Sequence, residues 1–153
     1  MIIVIDNFLM PWELSLVGKE LRNTEFFSLK DHPSNEANTL YPGRKTDEFS
    51  RVHPLLDSFI INRLDAIKTI FTANPYSVNQ YGHLRLEGDD EEEYIHQDFP
   101  FDWAYLIYVS DTNLESGTKM YKSLKSAKDE ETAFIKFVQN RILLFDVRVP
   151  HMA

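Results

Sequence analysis

The order of hydrophobic patterns along the chain is the feature that most limits its fold. Two stretches with helical spacing come first, over residues 11–23 and 54–72, and the later apolar runs are short and β-like. Apolar residues recur three and four positions apart in the helical stretches, whereas β-branched and aromatic residues dominate the later runs. Many short antiparallel strands after two N-terminal helices predict a mostly β fold. We expect a double-layer jelly-roll barrel with the helices packed on one face.

The individual β runs make more specific predictions. The run over 2–5 is Ile-Ile-Val-Ile, which predicts a short buried strand, and the run over 103–109 is apolar on both faces, which predicts a central strand. The runs over 132–138 and 141–147 are separated only by Gln139-Asn140. Because Asn tolerates positive φ, this two-residue link predicts a hairpin.

Two polar segments are predicted to be loops. Residues 31–53 contain few aliphatic side chains, which favours either a surface connection or part of a substrate-binding wall. Residues 88–93 read Gly-Asp-Asp-Glu-Glu-Glu. A run of like charges is typical of a solvated loop, and we favour that interpretation over a cation site.

The length and charge of the chain limit the classes of function that it can have. The 153 residues, 43% of them hydrophobic, predict one domain over 1–153 with a real core. A net charge of −8 argues against nucleic-acid binding, and the absence of Cys excludes disulfides and thiolate metal sites. No apolar run is long enough for a signal or membrane segment. We expect a cytoplasmic protein without a membrane or nucleic-acid partner; the oligomeric state is open.

The tripeptide His96-Gln97-Asp98 is the strongest candidate for a site of chemistry. Side chains alternate along a strand, so His96 and Asp98 are predicted to share one face. A third ligand from a neighbouring strand would complete a metal site, and His151 in Val-Pro-His is the candidate. Two His and one carboxylate with open positions opposite is the arrangement of non-haem Fe(II) sites.

An ordered set of short motifs extends over almost the whole chain. The set comprises Val4-Ile5-Asp6-Asn7-Phe8-Leu9, Tyr41-Pro42-Gly43-Arg44-Lys45-Thr46, Tyr81, His96-Gln97-Asp98, Tyr108-Val109-Ser110, Ser116-Gly117-Thr118, Asn140-Arg141-Ile142-Leu143-Leu144-Phe145 and Pro150-His151. In this order the motifs resemble the 2-oxoglutarate- and Fe(II)-dependent oxygenases of the prolyl-4-hydroxylase-like superfamily, in particular its small members from viruses and bacteria.

The resemblance implies a function and a set of site residues. It implies Fe(II) bound by His96, Asp98 and His151, 2-oxoglutarate as co-substrate, and ascorbate as a further candidate cofactor. Tyr81 and Tyr108 match positions that hydrogen-bond the co-substrate. The implied activity is a dioxygenase that hydroxylates a prolyl or other peptidyl side chain, or a small-molecule amino acid. The alternative is a jelly-roll module that binds or supports other molecules and has lost turnover.

One expected group has no counterpart in the sequence. Family members commonly hold the distal carboxylate of 2-oxoglutarate with an Arg or Lys on the strand after the distal His, because these cations bind carboxylates strongly. The chain printed here ends at Ala153. Either Lys119 supplies the cation, or the chain is a shortened version of a longer domain that lacks the last barrel strand; we favour the shortened domain.

Overall fold

The computed structural model describes residues 1–33, 43–71, 78–86 and 95–152. The first two residues of the motif over 41–46 and the acidic run at 88–93 lie outside these ranges. The helices are α1 Pro11–Arg22, α2 Phe49–Val52, α3 Pro54–Asp65 and α4 Lys68–Phe71. The strands are β1 Ile2–Ile5, β2 Arg44–Lys45, β3 His83–Leu84, β4 Trp103–Ile107, β5 Asn113–Tyr121, β6 Glu131–Phe137, β7 Ile142–Asp146 and β8 His151–Met152.

The chain forms two compact units. Residues 1–18 and 93–153 form the first, and residues 19–92 form the second. The first unit holds two three-stranded antiparallel sheets, which we name after their central strands: the β7 sheet, in the order β1-β7-β4, and the β5 sheet, in the order β6-β5-β8.

The two sheets share one core. Met120 of the β5 sheet packs with Leu143 and Phe145 of the β7 sheet, and all three side chains are fully buried. Strand register places Ala104 and Leu106 on the same face as Leu143 and Phe145. Partly buried residues complete the cluster: Ala104, Leu106, Ala133, Ile135 and Val149. Apolar residues from both sheets therefore fill the space between them.

β7, rather than β4, is the central strand of its sheet. Ile142, Leu143 and Leu144 are at most 2% exposed, because β1 and β4 cover the two edges of β7 and apolar groups cover both its faces. The central position predicted for 103–109 is therefore wrong for the part of the chain that the structure describes. An apolar run indicates burial on two faces, but it does not distinguish an edge strand from a central one.

The predicted hairpin at Gln139-Asn140 is also wrong. β6 pairs with β5 and β7 pairs with β1 and β4, so the two-residue link passes from one sheet to the other. Asn140 does adopt positive φ, 63°, as expected for this link. Its side chain forms two buried hydrogen bonds with Leu9: the Leu9 N–H donates to Oδ1 at 2.8 Å, and Nδ2 donates to the Leu9 carbonyl at 2.7 Å. These bonds attach the link between the two sheets to the segment before α1.

Local hydrogen bonds explain where two of the helices begin or end. The observed α1 agrees with the prediction for 11–23, and the Met10 N–H donates to the Glu13 carboxylate at 2.7 Å, as in a capping box. The helix predicted over 54–72 is interrupted after Asp65. Ile67 N–H donates to the Leu64 carbonyl three residues earlier, and such bonds tighten the chain at a helix end. Position 72 lies outside the described residues.

The second unit also corrects the prediction of a loop over 31–53, because β2 and α2 lie within it. β2 pairs with β3 in the third sheet of the described chain. The fold is thus mostly β with three small antiparallel sheets, none of which closes into a barrel within the described residues. No described helix is long and apolar enough to cross a membrane.

Replacement of Asn140 tests the link between the sheets. Asn140→Gly keeps positive φ accessible but leaves two buried backbone groups of Leu9 unsatisfied, so we expect a loss of about 2–4 kcal/mol in the free energy of unfolding. Asn140→Ala should cost about 1–2 kcal/mol more, because Ala is strained in the left-handed region. Denaturant unfolding measures both, with the exposed Asn62→Ala as control. Equal stability of Asn140→Gly and the unsubstituted protein would contradict this role.

Candidate metal centre

Backbone pairing brings the two candidate His ligands together. His96 and His151 form an isolated antiparallel bridge: the His96 N–H donates to the His151 carbonyl at 3.0 Å, and the His151 N–H donates to the His96 carbonyl at 2.9 Å. Residues directly opposite each other in an antiparallel pair project to the same face. Met120, which belongs to the core between the sheets, pairs with His151 on the other side. Both imidazoles are therefore on the inner face of the β5 sheet.

Asp98 completes a group of three possible ligands. His96 Nε2 lies 3.8 Å from Asp98 Oδ1, and His151 Nε2 lies 3.4 Å from Asp98 Oδ2. One ligand atom from each residue falls within 4.8 Å of the other two. Two N or O ligands bound at about 2.1 Å are about 3.0–3.4 Å apart when they occupy neighbouring positions on a metal. The three side chains could thus hold a single metal ion once their ligand atoms move closer together.

His151 is held with one ring nitrogen available to a metal. Its Nδ1 lies 3.1 Å from the Val149 carbonyl oxygen, and since a carbonyl can only accept, Nδ1 must carry the proton. The lone pair is then on Nε2, the atom nearest Asp98. The Phe145 ring packs edge-on against this imidazole, with centroids 4.6 Å apart. A hydrogen bond behind a metal-binding His fixes its tautomer and orientation.

The three side chains differ in exposure, so the site has a buried side and an open side. The His151 side chain is 5% exposed, His96 28% and Asp98 42%. A metal ion held by them would be covered on the side of His151 and the core, and accessible on the side of Asp98. Three protein ligands on one face leave coordination positions for other molecules.

Tyr108 lies in the same unit, inside the core. Its hydroxyl is 2.8 Å from Thr118 Oγ1 and donates to the Ile135 carbonyl at 3.4 Å, and its ring stacks on Phe137. Burial raises the pKa of Tyr108, so the phenol stays protonated at neutral pH and remains a donor. Thr118 precedes Met120 by two residues on β5 and so projects to the same inner face as the metal candidates.

The other two residues predicted to bind the co-substrate have contacts of a different kind. Tyr81 belongs to the second unit, where Lys45 Nζ is 3.9 Å from its ring centroid, a cation–π distance. Lys119 is next to Met120 on β5, so its side chain projects to the face opposite His151. The Lys119 ammonium lies 3.4 Å from Glu131 Oε2. The structure therefore groups His96, Asp98 and His151 without Lys119.

Two groups that contact predicted site residues had no predicted role of their own. The Val149 carbonyl leaves no side-chain signal, although backbone carbonyls are common partners of the second ring nitrogen of a metal-binding His. Thr118 was part of the Ser-Gly-Thr motif, and its hydroxyl proves to be the partner of Tyr108. Gly117 explains that motif physically, because a Cβ there would lie 2.2 Å from the Ile135 carbonyl oxygen.

Comparison with protein-family models and with curated proteins returned no match for this chain. The interpretation of the site depends on its own geometry and on the motifs of the sequence.

Removal of each candidate ligand should reduce metal affinity. Loss of residues that only orient a ligand costs about 10–100-fold in affinity, so loss of one of three ligands should cost at least about 100-fold. We expect this from His96→Ala, Asp98→Ala and His151→Ala in calorimetric titrations with Mn(II).

Two exposed residues of matching type, His83 and Asp129, provide controls. His83→Ala and Asp129→Ala should bind Mn(II) as the unsubstituted protein does. Thermal unfolding of all five variants checks that each is folded. Unchanged Mn(II) affinity in folded His151→Ala would remove His151 from the site.

Proposed function

We propose that this protein is a 2-oxoglutarate- and Fe(II)-dependent oxygenase that hydroxylates a peptidyl side chain or an amino acid. The observation that carries the proposal is the convergence of His96, Asp98 and His151 on the inner face of a sheet, with ligand atoms within 4.8 Å of one another. Their convergence supports a two-His, one-carboxylate site with open positions, the arrangement that suits non-haem Fe(II) and oxygen.

The order of strands supports the same proposal. From the bridge at His96 to β8, the chain changes sheet at each connection except the loop between β5 and β6. Alternation between two facing sheets is what a jelly-roll, or double-stranded β-helix, requires. The same connections place His96 beside β8 and β8 beside β5. We therefore interpret the first unit as a jelly-roll of this type.

The residues present fit Fe(II). Two imidazole nitrogens and one carboxylate oxygen are suitable ligands for Fe(II), and the hydrogen bond from His151 Nδ1 leaves its Nε2 free to coordinate. The bound Fe(II) would supply the oxidising chemistry, in which O₂, 2-oxoglutarate and a C–H substrate give succinate, CO₂ and the hydroxylated product. Zn(II) accepts similar ligands, so the ligand set alone does not distinguish Zn(II) from Fe(II). The jelly-roll arrangement and the sequence motifs favour iron.

The position of each residue indicates the role that it would have in the site. Buried His151 would hold the metal on the side of the core, and the more exposed His96 and Asp98 would hold it on the open side, where substrate can approach. The Tyr108 hydroxyl already bonds Thr118 and the Ile135 carbonyl within the core, so it would bind a carboxylate of the co-substrate by exchanging one of these partners. Apolar residues around Met120 keep bulk water from that side.

A binding or structural jelly-roll without turnover is the second candidate. The exposure of Asp98, 42% for its side chain, is consistent with a surface that binds a partner and performs no chemistry. The close approach of all three candidate metal ligands to one another favours the oxygenase, because a purely structural sheet does not need such a group.

Release of succinate from 2-oxoglutarate separates the two candidates. With Fe(II) and ascorbate, the oxygenase should release succinate slowly without a substrate, and faster with the correct one. Asp98→Ala should reduce the release at least 100-fold, because the metal is then held by only two residues. His83→Ala is the matched control. Metal binding without any succinate release, in the presence of diverse peptides and amino acids, would favour the binding module.

Lys119→Ala tests the role of the one cation expected from the sequence. Because Lys119 projects away from the site face and pairs with Glu131, its removal should change the dissociation constant of 2-oxoglutarate by less than about threefold. Titration of 2-oxoglutarate into the Mn(II)-loaded protein measures this, with the exposed Lys136→Ala as control. A loss of tenfold or more, specific to Lys119→Ala, would make Lys119 the carboxylate anchor after all.

A further inference from the structure

We propose that the loop between β5 and β6, residues 122–130, is a cationic binding surface at the edge of the metal centre and takes an acidic peptide segment. This inference rests on the proposed function, because it names the substrate class of the same site. We call this segment the lysine loop: it contains Lys122, Lys125 and Lys128, all exposed, within a protein of net charge −8.

The lysine loop is fixed beside the metal ligands. Tyr121, which immediately precedes it, is 2% exposed, and its N–H donates to the Pro150 carbonyl at 2.8 Å. Pro150 is the residue before His151. The Tyr121 hydroxyl donates to the Lys128 carbonyl at 3.0 Å, so the far end of the loop is tied to the same buried residue. The loop thus starts next to the residue that precedes a candidate metal ligand, and the Tyr121 side chain holds its far end.

Internal hydrogen bonds give the loop a defined shape. Ser126 N–H donates to the Ser123 carbonyl at 3.2 Å, and Glu130 N–H donates to the Ala127 carbonyl at 2.9 Å, so two consecutive turns make up the loop. The Glu130 carboxylate accepts from the Ala127 N–H at 3.1 Å. An ordered loop can bind a partner with less loss of conformational entropy than a loose one.

The three ammonium groups are available for a partner. Glu130 binds backbone within the loop and Glu131 pairs with Lys119, which leaves Asp129 as the loop's other carboxylate. Within the described part of the chain, none of the three Lys side chains forms an ion pair. Leu124, 52% exposed, stands among them. Three cations around an apolar side chain match a short segment with acidic and apolar residues.

An acidic peptide fits this surface better than a nucleic acid. Binding of a long polyanion requires an extended basic face. The protein has a net charge of −8, so its remaining surface would repel the part of a polyanion that extends beyond the loop. A short peptide with three carboxylates can engage the loop without extending over acidic surface. Arg148 is near, but both its side-chain bonds go to Asp146, so we do not count it among the available cations.

The test uses the full chain loaded with Mn(II) and a fluorescein-labelled ten-residue peptide with three Glu and one Leu. Its twin has Gln in place of each Glu. Fluorescence anisotropy at low salt should show about tenfold tighter binding of the acidic peptide, since each exposed ion pair adds a small factor. The preference should disappear at about 0.5 M salt, where exposed charges are screened.

Two triple variants locate the preference. In Lys122→Gln/Lys125→Gln/Lys128→Gln it should fall to less than about twofold, whereas Lys19→Gln/Lys30→Gln/Lys136→Gln, which removes the same charge elsewhere, should keep it. Equal loss in both variants, or no preference in the unsubstituted protein, would overturn the proposal. Tighter, equally lysine-dependent binding of a single-stranded oligonucleotide of matched charge would overturn the choice of a peptide.

Separate measurements distinguish failure of this inference from failure of the proposed function. Absence of succinate release, with the peptide preference intact, would count against the oxygenase and leave the binding surface standing. Normal metal binding and succinate release, without a peptide preference, would overturn the lysine loop alone.

Discussion

Two backbone hydrogen bonds between His96 and His151 are the contact on which the candidate site depends. These residues are far apart in the chain, and the reciprocal N–H to carbonyl bonds at 3.0 and 2.9 Å set both imidazoles on one face. Asp98 follows His96 by two residues and therefore reaches the same place. The candidate metal centre thus depends on strand pairing, and the β5 strand and the core around Met120 support it.

The division between a buried and an open side follows from that pairing. His151 is the first residue of β8, within a sheet whose inner face contacts the β7 sheet, so its ring is enclosed. Within the described residues, His96 and Asp98 lie on a segment that forms a single bridge, and their side chains are partly exposed. The lysine loop leaves the same sheet one residue beyond the contact between Tyr121 and Pro150. The core, the candidate metal centre and the lysine loop are therefore all adjacent to the β5 sheet.

Local pattern predicted that His96 and Asp98 share one face, but it did not predict the arrangement of strands. The structure brings His151, the candidate third ligand, close to both of them. The link at Gln139-Asn140 looks the same whether it closes a hairpin or crosses between sheets, because the outcome depends on distant partners such as Leu9. Likewise, the face on which Lys119 projects depends on the register of β5 with β8, which the sequence does not reveal.

The most direct test of the account is the anomalous scattering of Mn(II) in crystals of the protein soaked with that ion. The account predicts one anomalous peak at about 2.0–2.2 Å from a nitrogen of His96, a nitrogen of His151 and a carboxylate oxygen of Asp98, the usual bond lengths for such ligands. The remaining coordination positions should face the open side. A fully occupied Mn(II) bound elsewhere, with no peak between these three residues, would contradict the central claim.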